Sequence, residues 1–579
     1  MITPGEMSRR RFAAALTIVI LLAAALRGLF PTADPPWRTT VGIVWHDEGA
    51  WVHNARNRVL FGEWRLDEWN PGFIAPVFTG LEYLSFRAFG VGLRQARLVS
   101  QVAGVLTVLL IALGVSRVAG RRAGLFAGGV MATAYVHVMY SRAALMEATM
   151  LLWLAAGWYS VARSERSPVW GFLAGLSAWL AFFTKASAVF FVVGLAAVSV
   201  LAVAQARFDT RTWTGAARDV RGRAALWTFA GLACGAAVAL AVLVVPHWDE
   251  YRFYNWQMSV TRRPSYTLQA LVDRASWFPV VHDFFTRLWL PTVVSAAALF
   301  GAVFQWRRRG TAERLLWVWL VLGVLELLAR DVGNERYFVY LVPALVALAA
   351  VVLGRDGTPL PQELAGVPRR HALVALPLVA YACYVVVAPI VRLPFLYEVR
   401  PSVRWSALAA VLLTSLVYAT WPRVPRLLSA AAIGPRVLAG LLILLMAGDL
   451  VQYAQWATGR TYKNVAAMRL VAARIAPGTA VHGKLANGLA LESAIRPIFV
   501  GHGFGNYADR LKRDDVRYVL TYVAPRLGYE GDQILEVLDA YPSRRVLWEV
   551  GVAETSAGHD RAALIEKRPA RGTDEDVTR

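Results

Sequence analysis

Long apolar stretches separated by short polar segments run through most of the chain. Many of them approach the ~20 residues that a helix needs to cross about 30 Å of hydrocarbon. The pattern predicts about thirteen membrane-spanning helices, at 12–30, 97–116, 123–140, 147–162, 168–184, 186–205, 224–246, 288–305, 315–330, 337–353, 372–391, 404–421 and 436–455. Because further apolar stretches follow the first one, we interpret it as a retained helix and not as a cleaved signal peptide.

Composition and charge add an orientation to this pattern. The 579 residues are 57% hydrophobic and only 17% charged, with a mean hydropathy of +0.44, which sets the chain apart from soluble proteins. The net charge of +22 comes from arginines that cluster in every second gap, for example Arg9–Arg11 and Arg307–Arg309. The positive-inside rule makes those gaps cytoplasmic, so the N-terminus is predicted inside and the C-terminus outside. The basic balance therefore indicates membrane topology and attraction to anionic lipid, not nucleic-acid binding.

Two outer loops are long enough to carry a site, at 31–96 and 247–287. In the first, the apolar and polar positions of residues 48–61 predict an amphipathic helix that lies in the membrane interface. Asp47 is its predicted N-cap, and Gly62 is predicted to end it. Residues 73–89 are predicted to form a second interfacial helix. If they crossed the membrane instead, every later arginine-rich gap would lie outside.

The pattern changes after residue 455. Short β-rich runs alternate with helical stretches, which predicts a small extracytoplasmic α/β domain with a largely parallel sheet over 456–579, beside a transmembrane domain over 1–455. The glycine-rich segment 501–505 lacks the spacing of a nucleotide-binding loop and is interpreted as a turn. Cys234 and Cys383 fall inside predicted spans and are expected to be small core residues, not a disulfide.

Candidate chemistry begins directly after the first span, at Trp45-His46-Asp47-Glu48-Gly49-Ala50-Trp51. Two adjacent carboxylates beside a membrane are costly unless they are solvated, paired or used. Other ionisable residues lie in gaps on the same predicted side, near 140–147, 247–254 and 330–337. They are therefore expected to form one site at the outer face.

The motifs in this order resemble a known family. His46-Asp47-Glu48-Gly49, Ala55-Arg56-Asn57 and Gly62-Glu63-Trp64 are similar to the first outer loop of C-type glycosyltransferases, nearest to the protein O-mannosyltransferase and aminoarabinose-transferase-like group. Further matching positions are Arg97-Leu98, Arg142 with Glu147, Gly175-Leu176 through Thr184-Lys185, and Arg336-Tyr337 with Pro343. The resemblance covers about residues 40–345. It implies a polytopic α-helical membrane fold and transfer of a sugar from a polyprenyl-phosphate donor on the outer face, usually with inversion at the anomeric carbon.

Inverting transfer needs a carboxylate that takes a proton from the acceptor hydroxyl and cations that receive the leaving phosphate. Asp47 matches the catalytic aspartate of the family and is the candidate base; the alternative is that it only caps the loop helix. Glu48 is a further candidate for the catalytic group, expected behind Asp47 or facing a metal ion. Glu147 resembles the second acidic position of the family, and the alternative for it is a structural ion pair with Arg142.

The candidates for the donor phosphate are cationic: Arg56, Lys185, Arg336 and Arg142. Their alternative is to reach along the protein to the interface without binding anything. Candidate substrate contacts are His53, Tyr251 and Tyr337. The residues His53, His247, Asp249 and Glu250 raise the question of a divalent metal ion, but their spacing is not diagnostic, and no other cofactor is predicted.

The predicted partners are a polyprenyl-phosphate-linked sugar, an acceptor on a protein, lipid or glycan, and the bilayer itself. The sequence therefore predicts a glycosyltransferase of the cell membrane that takes part in the synthesis of cell-envelope glycan, lipopolysaccharide or glycoprotein. The alternatives are a transporter or lipid flippase, a non-catalytic glycan-binding relative, and a related glycan ligase or polymerase. Transporters usually show internal repeats and ionisable residues near the bilayer midplane on broken helices, and neither feature is evident in the sequence.

Overall fold

Helices dominate the structure, a computed structural model that describes residues 7–36, 43–260, 284–306, 309–328, 335–354, 373, 376–392, 403–421, 435–501, 508–524, 531–554 and 560–568. Up to residue 458 its α-helices are Arg9–Gly28, His46–Trp51, His53–Phe61, Pro76–Phe89, Leu93–Ala119, Arg121–Thr133, Tyr135–Tyr140, Met146–Ser164, Val169–Thr184, Val189–Thr210, Trp213–Arg218, Val220–Ala239, Trp248–Val260, Trp289–Gln305, Thr311–Leu328, Val342–Leu353, Leu376–Arg392, Val403–Ala419 and Pro435–Thr458. Short 3₁₀ segments at Pro71–Phe73, Ala186–Ala188 and Glu335–Leu341 and a π-helical segment at Leu240–Val244 interrupt or extend them.

Within the described residues, a helical segment lies in each of the intervals predicted to cross the membrane. Among the described residues, five are long and apolar enough to do so by length and composition: Arg9–Gly28, Leu93–Ala119, Ala186–Thr210, Val220–Val244 and Glu335–Leu353. The predicted span 123–140 is broken at Ala134, and the Asp449 side chain accepts a hydrogen bond from the freed Tyr135 N–H (3.2 Å). The total of thirteen spans stays a prediction.

The first loop differs from its predicted form. Two short helices replace the single one, because the backbone leaves the helical conformation at Val52 (φ −93°, ψ 3°). The polar residues His53, Asn54, Arg56 and Asn57 are buried. The prediction of an interfacial helix with a water-facing polar side is therefore wrong, since the later part of the loop covers His53 and Asn54 and the C-terminal region covers Arg56.

The residues predicted to begin and to end the loop helix can be compared with the structure. The first helix begins at His46 with Trp45 at the N-cap position, so the prediction that Asp47 is the N-cap is wrong. Gly62 ends the second helix in the left-handed region (φ 78°), as predicted. The next helix, Pro76–Phe89, has 14 residues, which is too short to cross the hydrocarbon layer.

The C-terminal region is built around a five-stranded sheet. Its strands are β1 (Ala480–His482), β2 (Arg496–Ile498), β3 (Tyr518–Tyr522), β4 (Arg545–Gly551) and β5 (Arg561–Glu566), and its helices are Lys463–Arg474, Lys484–Gly488 and Gly531–Asp539, with a 3₁₀ turn at Arg510–Lys512. The spatial order is β2-β1-β3-β5-β4. β1 is parallel to both β2 and β3, whereas β3–β5 and β5–β4 are antiparallel. The prediction of a largely parallel sheet is therefore wrong for half of the pairings.

Burial differs between the centre of the sheet and its β4 edge. β3 and β5 are buried along nearly their whole length, and Ile534 and Val537 of the helix Gly531–Asp539 pack on Val519 and Ile565. β4 is mostly exposed, as expected for a strand with one neighbour. The domain boundary near residue 455 stays a prediction.

The C-terminal region docks directly on the first loop. The Trp45 indole donates to the Ala553 carbonyl (2.8 Å), and a hydrogen bond joins His46 Nδ1 and the Tyr522 hydroxyl (3.1 Å). The backbones approach so closely that a Cβ on Gly49 would lie 1.9 Å from the carbonyl oxygen of Asn487. Only glycine permits this contact, which holds the segment around residue 47 against the sheet.

Candidate active site

Asp47 lies between two cations that come from distant parts of the chain. Arg336 donates through Nη1 to Asp47 Oδ2 (2.8 Å), and Lys484 Nζ lies 2.9 Å from Asp47 Oδ1. His46 Nε2 is 3.8 Å from the same Oδ1. The Asp47 side chain is only 17% exposed, so these charges act through a largely protein environment.

Arg336 also joins Asp47 to the second carboxylate of the site. Its Nε donates to Glu147 Oε1, the same oxygen that accepts from Lys185 Nζ. Lys185 Nζ lies 5.4 Å from the centre of the Tyr337 ring, a cation–π distance. Glu147 is fully buried, whereas Lys185, Arg336 and Lys484 keep 12–14% of their side chains exposed. The cations therefore border the accessible side of the group.

Each member sits at or near the end of a helical element. Asp47 and Glu147 lie in the first turns of their helices, and Lys185 follows the last residue of Val169–Thr184 in extended conformation (φ −157°, ψ 121°). Arg336 belongs to the 3₁₀ segment Glu335–Leu341, and Lys484 opens the short helix after β1. Carboxylates in first turns are favoured by the helix dipole, which helps to keep them ionised.

The charges of this cluster do not cancel. Lys185, Arg336 and Lys484 supply three positive charges against the two carboxylates of Asp47 and Glu147. Burial opposes ionisation of the Asp47 carboxyl, but the adjacent charges of Lys484 and Arg336 outweigh it and hold the pKa of Asp47 below its usual range. The cluster is thus an ionised aspartate within an excess of positive charge, an arrangement that attracts an anion.

Glu48 points away from this cluster. Its two carboxylate oxygens accept from Arg97 Nε and Nη2 (2.7 Å each), and Oε1 also accepts from the Ala144 N–H (2.8 Å). Arg97 further donates to the Pro31 and Ala33 carbonyls. Because neighbouring helical residues face different directions, the catalytic and metal-facing roles expected for Glu48 are replaced by a buried ion pair that fastens the first loop.

Arg56 and Arg142 also lie outside the cluster, so the phosphate-binding role predicted for both is corrected. Arg56 donates to the carbonyls of Ala490, Ser493 and Ile495. Arg142 donates to the carbonyls of Leu26, Arg27 and Phe30, and its guanidinium lies 4.3 Å from the Trp456 ring centre. Most of their N–H donors thus bond to backbone carbonyls. The ion pair predicted between Arg142 and Glu147 is not among the contacts of these two described residues.

Two predicted substrate contacts are placed elsewhere. His53 Nε2 lies 2.8 Å from Asp67 Oδ1, and both side chains are buried. Tyr251 is half-buried on the helix Trp248–Val260, where its carbonyl accepts from the Asn255 amide (2.9 Å). Of the three side chains predicted to contact substrate, Tyr337 lies at the cluster.

The residues around Asp47 do not fit a divalent metal ion. Within the described part of the chain, no three His, Cys, Asp or Glu side chains are grouped to ligate one. Both oxygens of Asp47 face an ammonium or a guanidinium group, and these positive charges repel a divalent metal ion.

Lys484 is the member of the cluster that sequence reasoning missed. A signal for it does exist, because the chain has only five lysines among its 61 basic residues: Lys185, Lys463, Lys484, Lys512 and Lys567. A lysine kept where arginine is otherwise used throughout indicates a position that needs a compact ammonium group. Two of the five lie at this cluster.

Comparison with known proteins supports the predicted resemblance. Residues 74–217, about a quarter of the chain, match the family model of dolichyl-phosphate-mannose-protein mannosyltransferases. The apo crystal structure of ArnT from Cupriavidus metallidurans is similar over 96% of this chain and 97% of its own, with 17% identity and a TM-score of 0.50. ArnT bound to undecaprenyl phosphate matches over the same shares with 16% identity and a TM-score of 0.45.

A more distant likeness is to the Archaeoglobus fulgidus oligosaccharyltransferase, over 92% of this chain and 71% of that one, with 12% identity and a TM-score of 0.47. No curated protein matches the chain by sequence. The predicted resemblance to C-type membrane glycosyltransferases is confirmed at the level of the fold.

Proposed function

We propose that the chain is an integral-membrane glycosyltransferase that moves a sugar from a polyprenyl-phosphate donor to an acceptor hydroxyl. The observation that carries the proposal is the Asp47 carboxylate held between Arg336 and Lys484, with Arg336 shared by Glu147. It joins in one place a proton acceptor and cations able to bind a phosphate. An inverting transfer requires both at once.

In the proposed reaction Asp47 takes the proton of the acceptor hydroxyl. The acceptor oxygen then forms a bond to the anomeric carbon while the bond from that carbon to the phosphate oxygen breaks. The electron pair of that bond leaves with the polyprenyl phosphate. A single displacement of this kind inverts the anomeric carbon.

The cations act on the leaving group. Lys185, Arg336 and Lys484 border the accessible side of the cluster, and their one excess positive charge matches the single negative charge of a phosphodiester donor. As the bond breaks, a second negative charge develops on the phosphate. Fixed cations in a poorly hydrated site stabilise that charge without having to reorganise.

The comparisons agree with this choice of donor. ArnT, whose apo structure has the same fold, has also been solved with undecaprenyl phosphate. The family matched by residues 74–217 is described by its use of dolichyl-phosphate-mannose. We further propose that the site faces the extracytoplasmic side and that the region from residue 456 is an extracytoplasmic domain, on the arginine distribution alone.

The proposal is tested by incubating the purified protein with a panel of polyprenyl-phosphate sugars and measuring release of free polyprenyl phosphate. We expect release from at least one donor in the presence of protein, lipid or glycan acceptors, and release about 100- to 10,000-fold slower from a matched Asp47→Asn variant. A folded protein that translocates such lipids between leaflets without releasing the phosphate would instead be a flippase.

A further inference from the structure

The carboxyl ends of the parallel strands β1 and β3 point at the first loop. β1 ends at His482 and is followed by Gly483 and Lys484, and β3 ends at Tyr522. In the order β2-β1-β3-β5-β4, the chain after β1 runs to β2 on one side of this pair, and the chain after β3 runs to β4 on the other side. In open α/β sheets, ligands bind in the crevice outside the carboxyl ends at such a reversal.

This crevice is filled by the segment that carries the proposed base. Tyr522 contacts His46, and Lys484 contacts Asp47. Gly488 lies so close to the first-loop helix that a Cβ on it would be 2.7 Å from His46 Cβ. The crevice at the carboxyl ends of the strands, where a ligand would ordinarily bind, therefore contains the segment with Asp47.

Charged groups face Asp47 from three directions. Lys484 approaches from the C-terminal region, Arg336 from the 3₁₀ segment Glu335–Leu341, and His46 from its own helix. Behind Arg336 lie Glu147 and Lys185.

The two cations on Asp47 are held differently. Arg336 is fixed by two carboxylates at once, through separate nitrogens of a planar group. Lys484 approaches with a single ammonium on a flexible four-carbon chain. Lys484 can therefore turn away from Asp47 by rotation of its own side chain, whereas Arg336 cannot move without also breaking its contact with Glu147.

We propose that the C-terminal region takes part in the transfer through Lys484, which pairs with Asp47 before the donor binds and turns to the donor's phosphate when it does. This inference rests on the proposed function. An ionised carboxylate held by two cations is a weak base, and loss of one of them raises its pKa toward the useful range. Asp47 thereby becomes an effective proton acceptor only when a donor is present.

The test compares Lys484→Gln, which keeps a hydrogen-bond donor without charge, with Lys484→Arg, which keeps the charge. Lys512→Met is the matched control, since Lys512 is an exposed lysine of the same region. Affinity for undecaprenyl phosphate, thermal stability in detergent, and the pH profiles of kcat and kcat/KM are measured for each variant. The first profile reports ionisations of the donor complex and the second those of the free enzyme.

Lys484→Gln is expected to weaken undecaprenyl phosphate binding about 10- to 100-fold, the usual effect of losing a contact to a charged group. Removing a cation raises the pKa of Asp47, so the acid limb of kcat/KM should move to higher pH. The acid limb of kcat should barely move, because Lys484 has already left Asp47 in the donor complex. Lys484→Arg keeps the positive charge, so the acid limb of kcat/KM should stay near that of the parent, although the bulkier guanidinium should lower the rate. Lys512→Met should leave both profiles unchanged.

Equal shifts of both profiles would mean that Lys484 stays on Asp47 throughout, and would overturn the proposal. So would unchanged profiles with lowered stability, or loss of folding in both Lys484 variants, since Lys484 would then be only an anchor. An inactive parent protein would contradict the proposed function instead, which keeps the two failures distinct.

Discussion

At the scale of single residues, the pairing of Asp47 determines what its replacement should do. Asp47→Asn removes the proton acceptor but keeps the size of the side chain, so single-turnover transfer should fall about 100- to 10,000-fold. Donor affinity should be kept or increased, because Arg336 and Lys484 lose a competing carboxylate. Transfer at the parent rate by a folded Asp47→Asn protein would leave Asp47 without a catalytic role.

Glu48, next to it, should behave in the opposite way. Glu48→Ala leaves the Arg97 guanidinium buried without its carboxylate, a change that costs about 3–5 kcal/mol for a buried pair. We therefore expect a clearly lower thermal midpoint for Glu48→Ala in detergent. The double variant Glu48→Ala/Arg97→Met should recover part of the loss, and an unaltered midpoint in the single variant would contradict the structural role.

The family resemblance, together with residue types and their predicted sidedness, selected four members of the cluster: Asp47, Glu147, Lys185 and Arg336. The same reasoning selected Arg56 and Arg142, whose donors are taken up by backbone carbonyls. A sequence does not show which carbonyl groups lack partners after folding. Lys484 was missed for a related reason, since its role depends on where the C-terminal sheet docks.

At the scale of elements, the contact between the helices His46–Trp51 and Lys484–Gly488 should be sensitive to a single methyl group. Gly49→Ala forces a Cβ against the Asn487 carbonyl and should cost about 1–3 kcal/mol or separate the two helices. Limited proteolysis of the C-terminal region should then be faster and transfer slower. Gly80→Ala is the control, since a Cβ there meets nothing within 4 Å; equal effects of the two substitutions would contradict the docking.

Apolar length predicted where helices lie, and Gly62 predicted where one ends. The break at Ala134 was not predicted, because the N–H that it frees is bonded by Asp449, which is distant in sequence. The break at Val52 was not predicted either. The antiparallel half of the sheet was missed likewise, since β-rich runs carry no record of strand direction.

At the scale of the whole molecule, the arginine distribution makes a topological prediction. A reporter that is active only in the cytoplasm should be silent when fused after Arg579 and active when fused before Met1, because arginine-rich gaps stay inside. The two fusions control for each other's expression. Cytoplasmic activity of the C-terminal fusion would invert the orientation and, with it, the side on which the site opens.

The first loop packs between the helices and the C-terminal sheet, and this packing restricts how such a protein can change over evolutionary time. Apolar residues from both regions, such as Ala50 and Leu485, belong to one continuous buried cluster. A substitution on either face must be matched on the other, so the two regions are expected to be inherited as a unit. Exchange of the C-terminal region with that of a distant homologue would replace the surface on which the catalytic loop rests, and such chimaeras should fail unless the loop is transferred with it.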